Sequence, residues 1–122
     1  MLAFASPGAG VAETELRVRL WPAGRGEGAA KTWTLECGPA RGTLPRRVAA
    51  CRRLAEVRRP FAPIPSDMQC TLIYGGPAEA LVTGTYRGSQ VWALLTLSDG
   101  CQIARWRQVG FLTPGYRSPR RS

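Results

Sequence analysis

The segment Cys70–Tyr74 holds the residues of this chain that are best suited to recognising another molecule. A cysteine is followed by a β-branched residue, two bulky aliphatic residues and a tyrosine, and the Gly-Gly-Pro sequence of Gly75–Pro77 ends any regular element directly afterwards. A disulfide at one end and a turn at the other can hold such a segment stiff, extended and exposed. That form suits an extended binding cleft, such as the cleft of a protease. The alternative is an ordinary sheet strand that buries Leu72 and Ile73.

Residues for catalysis are scarce in this sequence. The 122 residues include no histidine, which excludes a Ser-His-Asp or Cys-His arrangement and any histidine-ligated metal site. The eight acidic residues are scattered. Glu13 and Glu15 share one face of a predicted strand, which is typical of a solvated surface. The sequence therefore predicts neither an enzyme nor a cofactor.

The four cysteines, Cys37, Cys51, Cys70 and Cys101, predict two disulfides. No Cys-x-x-Cys pair is present, so a zinc site is not favoured, and an even number of cysteines in a short domain is typical of an oxidising compartment. Four cysteines allow three connectivities, of which sequential pairing closes the two shortest independent loops. Each bridge would contribute about 3–4 kcal/mol by the chain-entropy estimate.

The chain is strongly basic, with 17 basic residues against 8 acidic ones and a net charge of +9. The positive electric field of such a chain attracts polyanions but does not select any particular one. Three arginine pairs, at 46/47, 52/53 and 58/59, spread around a predicted helix and indicate solvated surface. No nucleic-acid-binding motif is visible. Arginine and an aromatic residue alternate only at Arg105–Arg107, which we interpret as a surface strand.

Hydrophobic periodicity predicts the elements that must position these residues. The predicted strands are 13–21, 31–37, 78–86 and 89–97, with a last irregular strand over 102–112. The strand 89–97 is apolar on both faces, so it is either central in the core or covered by another subunit. A helix is predicted from an N-cap at Thr43 to about Arg59, with Leu44, Val48, Cys51 and Ala55 on its buried face. A second, short helix is predicted near 64–69.

The chain resembles the Streptomyces subtilisin inhibitor family, which comprises secreted inhibitors of serine proteases. The likeness covers roughly residues 15–112 and depends on an ordered set rather than on one motif. The matching residues are Thr34–Cys37 with Pro39, Gly42–Pro45, Ala50 and Cys51 with Leu54, Met68–Cys70, Tyr74, Pro77, Gly84–Gly88 with Val91, Cys101, Val109 and Phe111.

The resemblance implies a fold and a site. The fold is α+β, a five-stranded antiparallel sheet flanked by one long and one short helix, with disulfides Cys37–Cys51 and Cys70–Cys101. The implied partners are an extracellular subtilisin- or chymotrypsin-like protease and a second copy of the chain, in a homodimer formed through sheet faces. The reactive bond would be Leu72–Ile73, within a protease-binding loop of Gln69, Cys70, Thr71, Leu72, Ile73, Tyr74 and Gly75.

Two departures from the family pattern fall within this loop. Thr71 stands where a proline usually precedes the primary-specificity residue, and Gly75–Gly76 stands where an Asp-Pro usually follows the tyrosine. Since glycine loses more conformational entropy on ordering, we expect a more mobile leaving-group side and weaker or faster-cleaved inhibition.

The length favours a single domain, and no segment is long and apolar enough to span a membrane. We predict a disordered leader over 1–12, the inhibitor-like domain over 13–112 and a disordered basic tail over 113–122. An alternative function uses the same scaffold as a cationic module that binds nucleic acid, another anionic polymer or an anionic membrane without inhibiting a protease. Nucleic-acid binding is the less favoured because no known motif supports it.

Overall fold

The computed structural model describes residues 13–116. Its elements are β1 (Thr14–Trp21), β2 (Lys31–Cys37), α1 (Arg47–Glu56), β3 (Glu79–Tyr86), β4 (Ser89–Leu95) and α2 (Gly100–Gln108), followed by a 3₁₀ turn over Gly110–Leu112. The strands form one antiparallel sheet in the order β2–β1–β3–β4. The α+β class and the hairpin of the first two strands are therefore confirmed.

Alternation along the strands sends one face of the sheet into the core. In β1, Leu16, Val18 and Leu20 are buried, whereas the alternate residues Glu15 and Arg17 are exposed. The inward residues of the other strands join the same cluster, which the helices complete through residues such as Leu54 and Trp106. Both helices thus lie against one face of the sheet. The other face carries the polar residues of β1 and the apolar residues Leu81, Trp92 and Leu94 of β3 and β4.

Gly84 explains how β1 and β3 approach so closely. Its φ of 128° lies in a region that favours glycine, and an added Cβ would overlap the carbonyl oxygen of Glu15. Any side chain at this position would force the two central strands apart.

The predicted fifth strand over 102–112 is wrong, because this segment forms α2 and the 3₁₀ turn. The Asp99 carboxylate accepts a hydrogen bond from the Gln102 amide at 2.9 Å and caps the helix. The buried side chains then recur every third residue, at Ile103, Trp106, Val109 and Leu112. That spacing matches a helix followed by a 3₁₀ turn and not a strand.

Trp106 is accordingly a core residue and not part of a surface strand. It is 1% exposed, its Nε1–H donates to Thr113 Oγ1 at 3.1 Å, and its ring stacks on Tyr116 with centroids 5.2 Å apart. Thr113 is buried, so the packed domain continues past the predicted boundary at residue 112. The rest of the predicted tail, 117–122, and the predicted leader, 1–12, lie outside the described residues.

The first helix is shorter than predicted, because Thr43 does not cap it. The backbone N–H of Thr43 donates to Thr34 Oγ1 at 3.1 Å and its hydroxyl accepts from the Thr34 amide at 2.9 Å, which ties this segment to β2. The helix begins at Arg47 and buries Ala50 and Leu54, while Val48 is exposed. The short helix predicted near 64–69 is absent, and that segment has no regular structure.

Two further features bear on the site and its partners. The structure contains the disulfides Cys37–Cys51 and Cys70–Cys101, the pairing that the resemblance implied. The strand β4 lies at an edge of the sheet, where Trp92 is 66% exposed on the outer face. Within residues 13–116, neither helix has the length and apolar character needed to cross a membrane.

Candidate functional site

The connection between α1 and β3, residues 57–78, contains no helix or strand. It nevertheless presents large apolar side chains to solvent. Leu72 is 96% exposed, Tyr74 70% and Ile73 44%. A chain of this size has enough core to bury such residues, so their exposure indicates an interaction surface rather than a shortage of interior space. The alternative of a buried strand at Leu72 and Ile73 is wrong.

Three anchors hold the two ends of this exposed segment. Cys70 is bonded to Cys101 in the first turn of α2. The Thr71 carbonyl accepts a hydrogen bond from the Gly100 amide at 2.9 Å, and the Gly75 amide donates to the Leu97 carbonyl at 2.7 Å. The segment is therefore fixed on both sides of Leu72–Tyr74, and the C-terminal anchor lies at a glycine.

The backbone bends at Leu72 instead of running fully extended. The Ile73 amide donates to the Thr71 carbonyl at 2.9 Å, which closes a three-residue turn with Leu72 at its centre. Leu72 is thus the apex of the segment. The Thr71 carbonyl accepts two hydrogen bonds at once, from within the turn and from the helix.

The start of α2 packs tightly against Thr71. A Cβ added at Gly100 would lie 3.1 Å from the Thr71 Cβ and 3.4 Å from its carbonyl oxygen. Glycine at this position therefore lets the helix come close enough for the amide-to-carbonyl bond. Neither the helix nor this contact was predicted from the sequence.

Arg105 ties the start of the connection to the sheet. Its Nη1 donates to the Leu94 carbonyl at 3.3 Å and its Nη2 to the Phe61 carbonyl at 3.4 Å. Burial lowers the pKa of the Arg105 guanidinium from its usual value. Sequence reasoning missed this residue because its segment was interpreted as a surface strand. The three-residue spacing of Ile103, Trp106 and Val109 was the signal that could have revealed it.

A cleft of about 910 Å³ lies between the connection and α2. Its walls include Gln69–Thr71 and Ile73–Gly75 on one side and Gly100–Cys101 with Ile103 on the other. The arginines at 58, 59, 105 and 107 also line it. The exposed segment is therefore part of a larger concave surface.

The site offers no set of metal ligands among the described residues. The Sγ atoms of Cys70 and Cys101 and a carboxylate oxygen of Asp99 lie within 4.8 Å of one another. Both sulfurs are bonded to each other, however, and the Asp99 carboxylate caps α2. These atoms serve to hold the segment.

The structure brings all seven predicted loop residues into this one segment. Gln69, Thr71, Leu72, Ile73 and Tyr74 are exposed, and Cys70 and Gly75 are half-buried. What such an arrangement can do chemically is to present a peptide backbone and apolar side chains in a fixed form. Among residues 13–116, no set of acid, base and nucleophile is assembled at Leu72.

Comparisons with known proteins identify the family of this chain. A family model described as subtilisin inhibitor-like matches residues 17–99. Among solved structures, sermetstatin from Streptomyces caespitosus, in complex with Bacillus licheniformis subtilisin, is similar with a TM-score of 0.52 and 22% identity. The match covers 84% of this chain and 97% of that chain. No match is found among curated protein sequences. The family model spans most of the chain, which therefore belongs to the subtilisin inhibitor-like family and is a protease inhibitor rather than an enzyme.

Proposed function

We propose that the chain inhibits subtilisin-like serine proteases by occupying their substrate cleft with the segment Gln69–Gly75, with Leu72–Ile73 as the reactive bond. The observation that carries the proposal is the 96% exposure of Leu72 between anchors at Thr71 and Gly75. Family membership supports protease inhibition, and sermetstatin in the similar structure is bound to a subtilisin.

The energetics favour this form of binding. Filling an apolar specificity pocket with Leu72 contributes about 1.5–3 kcal/mol for full burial. The larger contribution comes from preorganisation, because an anchored segment has little conformational entropy left to lose. After cleavage, the disulfide and the hydrogen bond at Gly75 hold both new ends close together. The amine therefore remains near the acyl group and can re-form the peptide bond.

The side chain at the apex sets the expected specificity. Leucine is apolar and unbranched at Cβ, so it suits the apolar pocket of a subtilisin-like or chymotrypsin-like protease and not the acidic pocket of a trypsin. The family to which the chain belongs suggests secretion, and two disulfides are stable in an oxidising environment. We therefore propose that the protein is extracellular.

A homodimer would account for the exposed outer face of the sheet. Trp92 on the edge strand β4 is 66% exposed, and the register places it beside Thr83, with Leu81 and Leu94 in the next row. A second copy that packs on this face would bury Trp92 and the half-buried Leu94, beside Leu81, which is already buried within one copy. A Trp92→Lys variant that runs as a monomer, while the unaltered protein runs as a dimer in sedimentation, would support this interface.

The cationic-module alternative has less support from the geometry. Its one local candidate for base stacking was Arg105–Arg107, and Trp106 at the centre is buried while Arg105 is bonded to two backbone carbonyls. What remains is a net charge of +9, which specifies no ligand.

The test is titration of a subtilisin with the oxidised protein. We expect stoichiometric inhibition and slow cleavage at Leu72–Ile73, located by mass spectrometry. Leu72→Asp should abolish inhibition because a charge would enter an apolar pocket. Val48→Asp is the matched control, since Val48 in α1 is also exposed and apolar but lies outside the segment and does not line the cleft. Equal inhibition by both variants would refute the proposed reactive bond.

A further inference from the structure

The charge of the cleft beside the reactive segment is not needed for substrate-like binding. Four arginines line it, and no Asp or Glu is among its lining residues within the described part of the chain. The same cleft is bordered by Gln69–Thr71 and Ile73–Gly75. A protease that binds the segment would therefore bring the rim of its own cleft next to this positive surface.

Three of these arginines, Arg58, Arg59 and Arg107, are exposed, and Arg58 and Arg59 form an adjacent pair that is placed to meet a partner. Arg105 is half-buried and donates to backbone carbonyls, whereas Arg58 and Arg59 are exposed. Their backbone is fixed, because Pro60 is buried and the Arg59 carbonyl accepts from the Ala62 amide at 3.2 Å. The pair thus presents two charges from a defined position on the inhibitor.

We propose that Arg58 and Arg59 form a secondary contact that selects proteases with acidic side chains on the rim of their substrate cleft. This inference rests on the proposed function, because the rim meets the arginines only when the segment Gln69–Gly75 occupies the cleft. Complementary rim charges act mainly on the rate of association, since they steer the encounter and are exposed to solvent. Affinity for the pocket itself would still depend on Leu72.

The test compares inhibitors of equal net charge. Arg58→Gln/Arg59→Gln removes the proposed contact, and Arg47→Gln/Arg52→Gln removes two exposed arginines of α1 that do not line the cleft. Each double variant lowers the net charge from +9 by two, so the global field changes equally. The probes are one subtilisin and two variants of it. Each variant has two rim residues changed to Glu on one side of the substrate cleft, and the two variants differ in which side is changed.

Association rates are measured at low and high salt from inhibition progress curves. With the unaltered inhibitor, we expect one acidic subtilisin to associate about three- to ten-fold faster than its parent at low salt, and the gain to fade in high salt. The α1 double variant should keep this gain, and the Arg58/Arg59 double variant should lose most of it. Equal gains by all three inhibitors, or no gain on either side, would overturn the inference alone. Failure of every form to inhibit would overturn the proposed function as well.

Discussion

The two disulfides of this protein join different kinds of structure. Cys37 ends β2 and Cys51 lies in α1, and both pack against the hydrophobic core. Cys101 lies in α2, but Cys70 lies in a segment with no regular structure, and neither belongs to that core. The first bridge fastens two elements that packing already holds together. The second fastens an exposed segment that does not belong to the hydrophobic core.

The two crosslinks therefore serve different regions of one small fold, the first the packed core and the second the exposed segment. The chain-entropy estimate depends only on loop length and does not distinguish them in kind. Sequence separations of 14 and 31 residues give about 3 and about 4 kcal/mol, respectively. What distinguishes them is which part of the native structure gains freedom when the bond is removed.

Removal of each bridge should give the largest effects. Both Cys37→Ser/Cys51→Ser and Cys70→Ser/Cys101→Ser should lower the free energy of unfolding by about 3–4 kcal/mol. Only the second should weaken inhibition, by about 100-fold, because two residues freed at the N-terminal anchor must be ordered again at about 1–2 kcal/mol each. Denaturant unfolding and protease titration, both on folded protein at low temperature, measure the two quantities. Comparable losses of inhibition in both variants would show that the second bridge has no special role.

The sequence predicted the strands of the sheet better than it predicted α2 and the contacts that anchor the segment Gln69–Gly75. Alternation at Leu16, Val18 and Leu20 extends through a whole strand, so the period is unambiguous. The helix α2 has nine residues and only two buried side chains, Ile103 and Trp106, which leaves its period weak. Val109 and Phe111 then imitate a strand by alternating beyond it.

The remaining differences come from tertiary hydrogen bonds that no local pattern reveals. Thr43 has the chemistry of an N-cap, but the Thr34 side chain and amide satisfy it instead. Arg105 reaches two carbonyls that are 11 and 44 residues away in sequence. The cysteine pattern could indicate that the segment near Cys70 is held. It could not indicate that Gly100 and Leu97 supply the other anchors.

A second prediction concerns the close contact between β1 and β3 at Gly84. Gly84→Ala should lower the free energy of unfolding by about 2–3 kcal/mol, because it combines a left-handed φ with overlap on the Glu15 carbonyl. Gly88→Ala is the control, since Gly88 also has a positive φ but has no atom within 4 Å of the added Cβ. The control should cost about 1 kcal/mol. Thermal unfolding gives both values. Inhibition by the folded fraction should stay unchanged. A parallel loss of inhibition would show that the packing of the sheet affects the conformation of the segment.

Arg105→Lys tests the link between the two regions. A lysine ammonium is a single point donor without the planar fork, so it does not reproduce the two bonds that separate nitrogens of Arg105 make to the Leu94 and Phe61 carbonyls, at a cost of about 1–2 kcal/mol. We expect faster cleavage of the inhibitor during long incubation with a protease. The unfolding midpoint should fall less than it does in Gly84→Ala. Arg52→Lys on the exposed face of α1 is the control. If both variants are cleaved at the rate of the unaltered protein, Arg105 does not position the segment.

The smallest effect should come from Gly100→Ala. This variant is informative because the free energy of unfolding and the strength of inhibition should change in opposite directions. Gly100 begins α2 without a positive φ, and alanine is the better helix former by up to about 1 kcal/mol, so the free energy of unfolding should stay equal or rise slightly. The added Cβ would lie 3.1 Å from the Thr71 Cβ, which must move away by a few tenths of an ångström. That displacement lengthens the hydrogen bond to the Thr71 carbonyl and loosens the residue before Leu72. We therefore expect about three-fold weaker inhibition, equivalent to about 0.6 kcal/mol.

Gly110→Ala provides the matched control for this last prediction. Gly110 begins the 3₁₀ turn, also lacks a positive φ, and has no atom within 4 Å of an added Cβ. Its replacement should leave inhibition unchanged. A weaker inhibitor that is equally or more stable would demonstrate that the segment can be loosened without loosening the fold, as the positions of the two disulfides imply. If Gly100→Ala lowered stability and inhibition together, the segment and the core would have to be treated as one cooperative unit.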